Sequence, residues 1–470
     1  MEQQHSENHC EKHMEKKLHF IGIGGIGMSA IARILLGQGF GISGSDVKRG
    51  RLTEVLENEG AHISYGHAAE NLPADAEAVV YSSAVTEANP EMAEARRRGL
   101  PVYRRAELLA YLMRTRKGIG VAGTHGKTTV SGMISTMLEL CGMDPTVVIG
   151  GILPLIGSNA KPGDGAYLVA EADESDGTFL LLYPEIAVIT NIESDHLDHY
   201  GDLEHIKQAF RQYVAQLPPH GFAVMCADCP ICREIMADAP AHCISYGLQQ
   251  PADYNAKNMA HNNGGIGADI YRGEEFLGRL QLLLPGEHNI GNALSALIVG
   301  MELGLSFDEA AAALGRFTGT GRRFEELAKT DEIRVIDDYA HHPTEIAATI
   351  RAARGCAPKR LLAVFQPHRY TRTQAHYREF AAALAEADLV VVNEIYPAFE
   401  PPIPGVDARL IIDTAAQQGF DKMHYAPDIF AVVEQLKALA QPGDLVLVMG
   451  AGNIRQAAEG FAAHVLQKDN

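Results

Sequence analysis

The sequence predicts an α/β protein, and two recurring patterns predict it. Apolar runs with strand chemistry feed glycine-rich turns that open helices: residues 18–21 precede Gly22-Ile-Gly24-Gly25-Ile-Gly27, and residues 119–122 precede Gly123-Thr124-His125-Gly126. Later apolar runs end in polar clusters instead of hairpin signals, as strands of a parallel sheet do. With 470 residues, two to four full-sized domains are expected.

Composition narrows the function class. At 46% hydrophobic and 21% charged the chain reads as globular, and no apolar run is long enough to span a membrane. A polar N-terminus and seven cysteines without a regular framework lead us to expect a cytoplasmic protein with free thiols. The formal charge of −19 argues against a nucleic-acid binder. It does not exclude anionic small substrates, because local Lys and Arg outweigh carboxylates beyond a screening length of about 8 Å.

Residues 1–16 carry no apolar period and read as a flexible tail, despite His5, His9, Cys10 and His13. From Leu18 the chain satisfies GxGxxG in strand–turn–helix context, and a second strand ends at Asp46, where dinucleotide enzymes hold a ribose. At this point either a nicotinamide dinucleotide or another phosphate ester fits. Ser82-Ser83-Ala84 follows an apolar strand, at an edge where open α/β sheets bind ligands, and the alternation closes near Arg116.

The central segment opens with a phosphate turn. Gly123 to Gly126, then Lys127-Thr128-Thr129 at a helix start, offers backbone N–H groups and a helix N-terminus to a polyphosphate. Lys127 reaches the outer phosphates there. Two acid-rich stretches follow neighbouring apolar strands: Glu171-Ala-Asp173-Glu174-Ser-Asp176 and Asn191-Ile-Glu193-Ser-Asp195-His196. Parallel strands place their C-terminal ends on one edge, so both stretches should face the turn, with Glu171, Thr128 and His196 able to hold Mg2+. Cys226, Cys229 and Cys232 resemble a metal run but read better as a strand end, a turn and a helix start. Short alternating segments then read as antiparallel strands, and Asn289 as a helix N-cap or a base contact. After residue 320 a third α/β stretch ends its strands at Asp338-Tyr339-Ala-His341, Gln366-Pro-His368-Arg369-Tyr-Thr-Arg372 and Gly450-Ala-Gly452.

The ordered stretches GIGGIGMSAIA, GTHGKTT, EADESDGTF, NIESDHLDHY, LPGEHNIGNALSA, GRRFE, DDYAHHPTE, FQPHRYTRT and MGAGN resemble the Mur ligases of peptidoglycan synthesis. The likeness runs from Leu18 to the last helix. It implies three α/β domains: a Rossmann-like UDP-sugar domain at 17–116, a central P-loop ATPase-like domain at 117–320, and a Rossmann-like amino-acid domain at 321–470. It implies ATP and Mg2+ as cofactors, and ligation of L-alanine to UDP-N-acetylmuramate through an acyl phosphate. A monomer or weak homodimer without nucleic-acid or membrane partners is expected.

Carried over motif by motif, Gly22, Gly24, Gly25, Gly27, Ser82 and Ser83 would hold the UDP-sugar, with Asp46 and His67 near the nucleoside. Gly123, Thr124, His125, Gly126, Lys127, Thr128 and Thr129 would cradle the ATP phosphates, and Asn289, Arg323 and Asp338 the adenosine. Thr128, Glu171 and His196 would bind Mg2+, making Lys127, Glu171 and His196 the catalytic set. Tyr339, His341, His368, Arg369 and Arg372 would surround L-alanine, a guanidinium pairing its carboxylate.

Some positions depart from the family pattern. The place near Arg211 that is comparable to the carbamylated lysine of several relatives offers no lysine, so none is expected. Phe399 and Pro401 replace glycine and alanine in YPAFEPPIPGV, and Cys226 and Cys229 stand where relatives often carry polar residues. Two rivals remain: a ligase that attaches a tripeptide to the same sugar, and a nicotinamide-linked oxidoreductase. GIGGIGM, HHPTE and HRYTRT favour free alanine over the first, while GTHGKTT and the acid loops have no place in the second.

Overall fold

The computed structural model of the chain describes residues 16–82, 85–262 and 264–469. Apart from Lys16, the expected tail lies outside these residues, as does Ser83 of the expected sugar site. The chain divides into two compact units. One takes residues up to Asn255 with Tyr271–Leu277 and Asn292–Leu314; the other takes Ala256–Ile270, Gly278–Gly291 and the chain from Gly315 on.

The first unit begins with a parallel sheet of β1 (Lys17–Ile21), β2 (Gly41–Asp46), β3 (His62–Tyr65), β4 (Ala78–Tyr81) and β5 (Val102–Arg104), in the order β3-β2-β1-β4-β5. The order reverses beside β1, and the helix Ile26–Gly37 starts there, at the switch point where such sheets take ligands.

A second sheet follows, with β6 (Lys117–Ala122), β7 (Thr146–Leu153), β8 (Ser158–Lys161), β9 (Tyr167–Glu171), β10 (Ile186–Ile189), β11 (Phe222–Cys226) and β12 (His242–Gly247) in the order β12-β11-β10-β6-β9-β7-β8. Only β8 runs antiparallel in this part, as a hairpin with β7. Its central strands are buried on both faces, which is why they read as unbroken apolar runs. Strand β6 pairs in parallel with β9 on one side and β10 on the other. Both acid-rich stretches therefore flank the phosphate turn, as the sequence predicts.

One hydrophobic core serves both of these sheets: Phe20, Ile31 and Leu112 belong to the same buried cluster as Ala170, Ile189 and Phe210. The helix Ile26–Gly37 is also tied directly to the β7–β8 hairpin. Asn159 Nδ2 donates to Ile26 O at 2.5 Å, and Arg33 Nη1 to Ala160 O at 2.9 Å.

The partition between units falls within β13 (Tyr254–Asn262), β14 (Gly265–Arg272) and β15 (Glu275–Leu282), which are neighbours in that order. The second unit is built on β16 (Glu325–Lys329), β17 (Ile333–Asp338), β18 (Arg360–Phe365), β19 (Leu389–Asn393), β20 (Met423–Ala426) and β21 (Asp444–Met449), ordered β16-β17-β21-β18-β19-β20. All pairs are parallel except the edge pair β16–β17. Separate apolar clusters cover its two faces. Strands β17, β21 and β18 lie side by side, so the three polar strand ends fall along one stretch of edge. No helix among the described residues is long and apolar enough to cross a membrane.

Candidate active site

The phosphate turn adopts a conformation that only glycine takes at no steric cost. Gly123 has φ +128° and Gly126 φ +87°. A Cβ on Gly123 would collide with the Thr190 hydroxyl and lie 2.9 Å from Asn191 O. Gly126 caps the helix Lys127–Leu140, whose first turn carries no acidic residue. The end of β10 grips the turn from the side. Thr124 N donates to Asn191 O at 3.0 Å, His125 N to Asn191 Oδ1 at 2.9 Å, and Glu193 N to Thr124 Oγ1 at 2.9 Å. Thr190 Oγ1 donates to His125 O at 2.5 Å, and His125 Nε2 lies 3.3 Å from Glu193 Oε2.

Lys127 Nζ donates to Gly123 O at 2.6 Å, to Thr124 O at 3.2 Å, and to Glu174 Oε1 at 3.0 Å. Its side chain is 16% exposed, and that of Glu174 is 3% exposed. Burial alone would lower the ammonium pKa, but the carboxylates of Glu174, Asp173 and Glu171 outweigh it and raise the pKa. In turn, burial favours the acid form of Asp173, yet the Lys127 charge holds its carboxyl below the usual range. Glu171 Oε1 accepts from Gly150 N at 2.6 Å and from Ser131 Oγ at 3.5 Å, one helical turn beyond Thr128. His196 has φ +55°, with Nε2 3.8 Å from Glu174 Oε1 and from Asp195 Oδ2. Lys127 and His196 thus meet around Glu174, beside Glu171.

In the first sheet, Gly24 N donates to Asp46 Oδ2 at 2.8 Å, so Asp46 fixes the glycine turn. His67 Nδ1 lies 3.0 Å from Ser45 Oγ and 3.2 Å from Glu91 Oε1, and Glu91 is fully buried. A cavity of about 290 Å³ is lined by Gly25, Ile26, Gly27, Ser82 and Arg105 on one side, and by Gly150, Glu171 and Asp173 on the other. The glycine turn and the acidic strand end therefore share one space. Arg105 has no hydrogen-bond or ion-pair partner among the described residues, and its guanidinium lies 3.0 Å from where a Cβ on Gly27 would stand.

The second unit gathers another cluster. Asp338, 6% exposed, accepts from Phe324 N and Ala340 N at 2.8 Å each, and burial pushes its carboxyl up to about 6. Arg323 lies 5.2 Å from the Tyr339 ring centre and 3.8 Å from Glu345. The His341 and His368 rings are 6.0 Å apart, His368 stacks on Tyr396 at 5.6 Å, and Arg372 Nη1 lies 3.4 Å from His368 Nδ1. Burial lowers His341 to about 4. Burial, with His341 and Arg372 nearby, lowers His368 to about 3. Arg369 caps the helix Tyr370–Leu384 at φ +73°, with Nε 4.0 Å from Glu400. Asn289 is not an N-cap: the helix starts at Glu287, and the Asn289 amide donates to Pro285 O at 2.7 Å.

Comparison with known proteins agrees with this architecture. Residues 17–117 match the Mur ligase family catalytic domain, 121–300 the Mur ligase middle domain, and 322–452 the Mur ligase glutamate ligase domain. A UDP-N-acetylmuramate–L-alanine ligase of Syntrophotalea carbinolica is 49% identical over 97% of this chain and 99% of its own. The chain belongs to the Mur ligase family. A second relative of that name, from Pelotomaculum thermopropionicum, is 50% identical over 94% of this Mur ligase and 97% of its own length. The crystal structure of a UDP-N-acetylmuramate-alanine ligase from Thermotoga maritima has a TM-score of 0.82 at 29% identity, covering 97% of this chain and all of that one.

Sequence reasoning missed several residues of this Mur ligase site. Glu174 is one of four acids in EADESD, and the turn geometry after β9 decides which of them meets Lys127. Arg105 gave only the helix-start signal of RRAE, and Asn191 and Tyr396 gave no sequence signal for their contacts.

Proposed function

We propose that this Mur ligase joins L-alanine to the lactyl carboxylate of UDP-N-acetylmuramate, converting ATP to ADP and phosphate. The names of relatives about half identical along nearly the whole chain support that substrate pair. The structural observation that carries the reading is the common cavity from the glycine turn to Glu171, beside the clamped phosphate turn. Arg105, without a partner among the described residues, favours an anion at the glycine turn, where the UDP diphosphate would lie, and Gly24 held by Asp46 keeps that turn open.

A carboxylate is a weak electrophile, so its oxygen first attacks the γ-phosphorus and ADP leaves. The amine of L-alanine then attacks the acyl phosphate carbon and phosphate leaves. Lys127 moves from Glu174 to the transferring phosphoryl group and offsets its charge, usually the largest catalytic contribution in such sites. Thr128, Glu171 and His196, with ionised Asp173 beside them, form the hard, oxygen-rich donor set that suits Mg2+, which would supply further charge neutralisation there. Asn289, Arg323 and Asp338 hold the adenosine. The neutral imidazoles of His341 and His368 cannot bind the alanine carboxylate by charge, so Arg369 and Arg372 do so, with Tyr339 packed against His341. ATP and UDP-sugars are cytoplasmic pools, which places the reaction in the cytoplasm.

The test is phosphate release from ATP with UDP-N-acetylmuramate, comparing no amino acid, L-alanine, glycine, L-serine and the tripeptide. Release that requires both the sugar and L-alanine is expected. Release with the tripeptide alone would replace this reading with a peptide ligase.

A further inference from the structure

The reaction proposed above uses none of the cysteines of CADCPIC, yet two of them are arranged for chemistry of their own. Strand β11 ends at Cys226, and Cys229 is the N-cap of the helix Pro230–Asp238, with Pro230 opening it. Cys232 is the third helical residue and is fully buried, while Cys229 is 9% exposed. One turn of helix separates them, about 5 Å between Cα atoms and within the span of a disulfide. A Cys-x-x-Cys pair at a helix N-terminus is an arrangement that favours a thiolate on its first sulfur. Here the hydrogen bond from the Cys232 thiol brings Cys229 down to about 6, and Cys232 itself is raised. Cys229, at the helix N-terminus and the more exposed of the two, is therefore the better nucleophile of the pair.

The sulfur of Cys229 also reaches the phosphate turn. Ile192 N donates to Cys229 Sγ at 3.4 Å. Ile192 stands between Asn191 and Glu193, the two residues that hold Thr124 and His125 in place. We propose that Cys229 and Cys232 form a reversible disulfide on exposure to a peroxide, and that this oxidation loosens the grip of the Asn191–Glu193 segment on the phosphate turn.

The Cys229 thiolate attacks one oxygen of hydrogen peroxide, the O–O bond breaks, and hydroxide leaves a sulfenic acid behind. Cys232 sulfur then attacks Cys229 sulfur, the S–O bond breaks, and water departs with the thiol proton. Two thiols lose two electrons to the peroxide, which is reduced to two waters. A small peroxide suits a sulfur with so little exposure. Once bonded to Cys232, Cys229 sulfur no longer carries the charge that accepts from Ile192 N.

Disulfide formation is independent of the proposed reaction, whereas its effect on ATP rests on the phosphate-turn reading; nucleotide binding to the reduced enzyme is therefore measured first. The full chain is treated with equimolar hydrogen peroxide, alkylated and digested. The Cys229–Cys232 peptide should lose the mass of two hydrogens and regain it with dithiothreitol. The KM for ATP should rise about fivefold to tenfold, the scale of one hydrogen bond, with kcat less affected. Cys232→Ser should keep the ATP requirement of the reduced enzyme and lose both responses; Cys226→Ser should keep both. The proposal is overturned if Cys226 oxidises while the pair stays reduced, if the disulfide forms without a change in KM for ATP, or if Cys232→Ser responds like the parent.

Discussion

At the scale of single residues, Lys127 and Glu174 are counter-ions in an almost closed space, so the lysine proposed to meet the phosphoryl group also has a structural side. Lys127→Ala should lower turnover at least about a hundredfold, as loss of one preorganised donor does. It should also lower the thermal midpoint, because the Glu174 carboxylate would be left buried without its cation. Adding Glu174→Gln should restore much of the midpoint and none of the turnover; kcat and melting curves on the three proteins check this. Arg372→Ala should chiefly raise the KM for L-alanine, and a change confined to the KM for ATP would show it to be misplaced. Lys127 was legible because glycine, lysine and threonine after an apolar strand have one common use. Its partner was not, since EADESD offers four carboxylates and only the path of the chain after β9 selects Glu174.

Among the elements, the phosphate turn depends on the strand beside it as much as on its own glycines. Asn191 both accepts from and donates to the turn's backbone, with Nδ2 3.1 Å from His125 O. Asn191→Ala should therefore raise the KM for ATP about tenfold with a smaller effect on kcat, measured by steady-state kinetics. In the second unit, Arg455 at the start of the helix Arg455–Asp469 pairs with Glu325 on β16 at 2.6 Å and with fully buried Asp337 on β17 at 2.9 Å. Arg455→Ala should destabilise that unit by about 2–3 kcal/mol in urea unfolding, less than a fully buried pair loses, because Arg322 stays near Asp337. Strand–turn–helix units were readable from periodicity and glycine placement. Sheet order was not, and neither was the antiparallel edge at β16, because pairing partners are chosen by tertiary packing far along the chain.

For the whole molecule, three imidazoles set the direction of the pH response. His288, His341 and His368 bind protons in the folded chain only at about 4, 4 and 3, each mainly because burial disfavours the charged ring. In the unfolded chain they do so near 6.5. Their contribution to stability is thus fully present above pH 6.5 and is lost as the pH falls toward 4. Asp338 and Asp337 act in the opposite sense, since burial raises both, Asp338 to about 6, and lowering the pH relieves their cost. Three imidazoles against two carboxyls leave a net loss, so the urea midpoint should be lower at pH 5 than at pH 7.5. Three sheets were legible in the order of motifs, but the core shared by the first two was not, because Phe20 and Phe210 lie far apart in sequence. That shared core, with Asn159 and Arg33 pinning the first long helix to the β7–β8 hairpin, sets the span from the glycine turn to Glu171 before any ligand arrives. On the proposed reading the molecule is in this respect a gauge: a nucleotide sugar would bind by its diphosphate and still be rejected where its acid arm falls short of the phosphoryl donor.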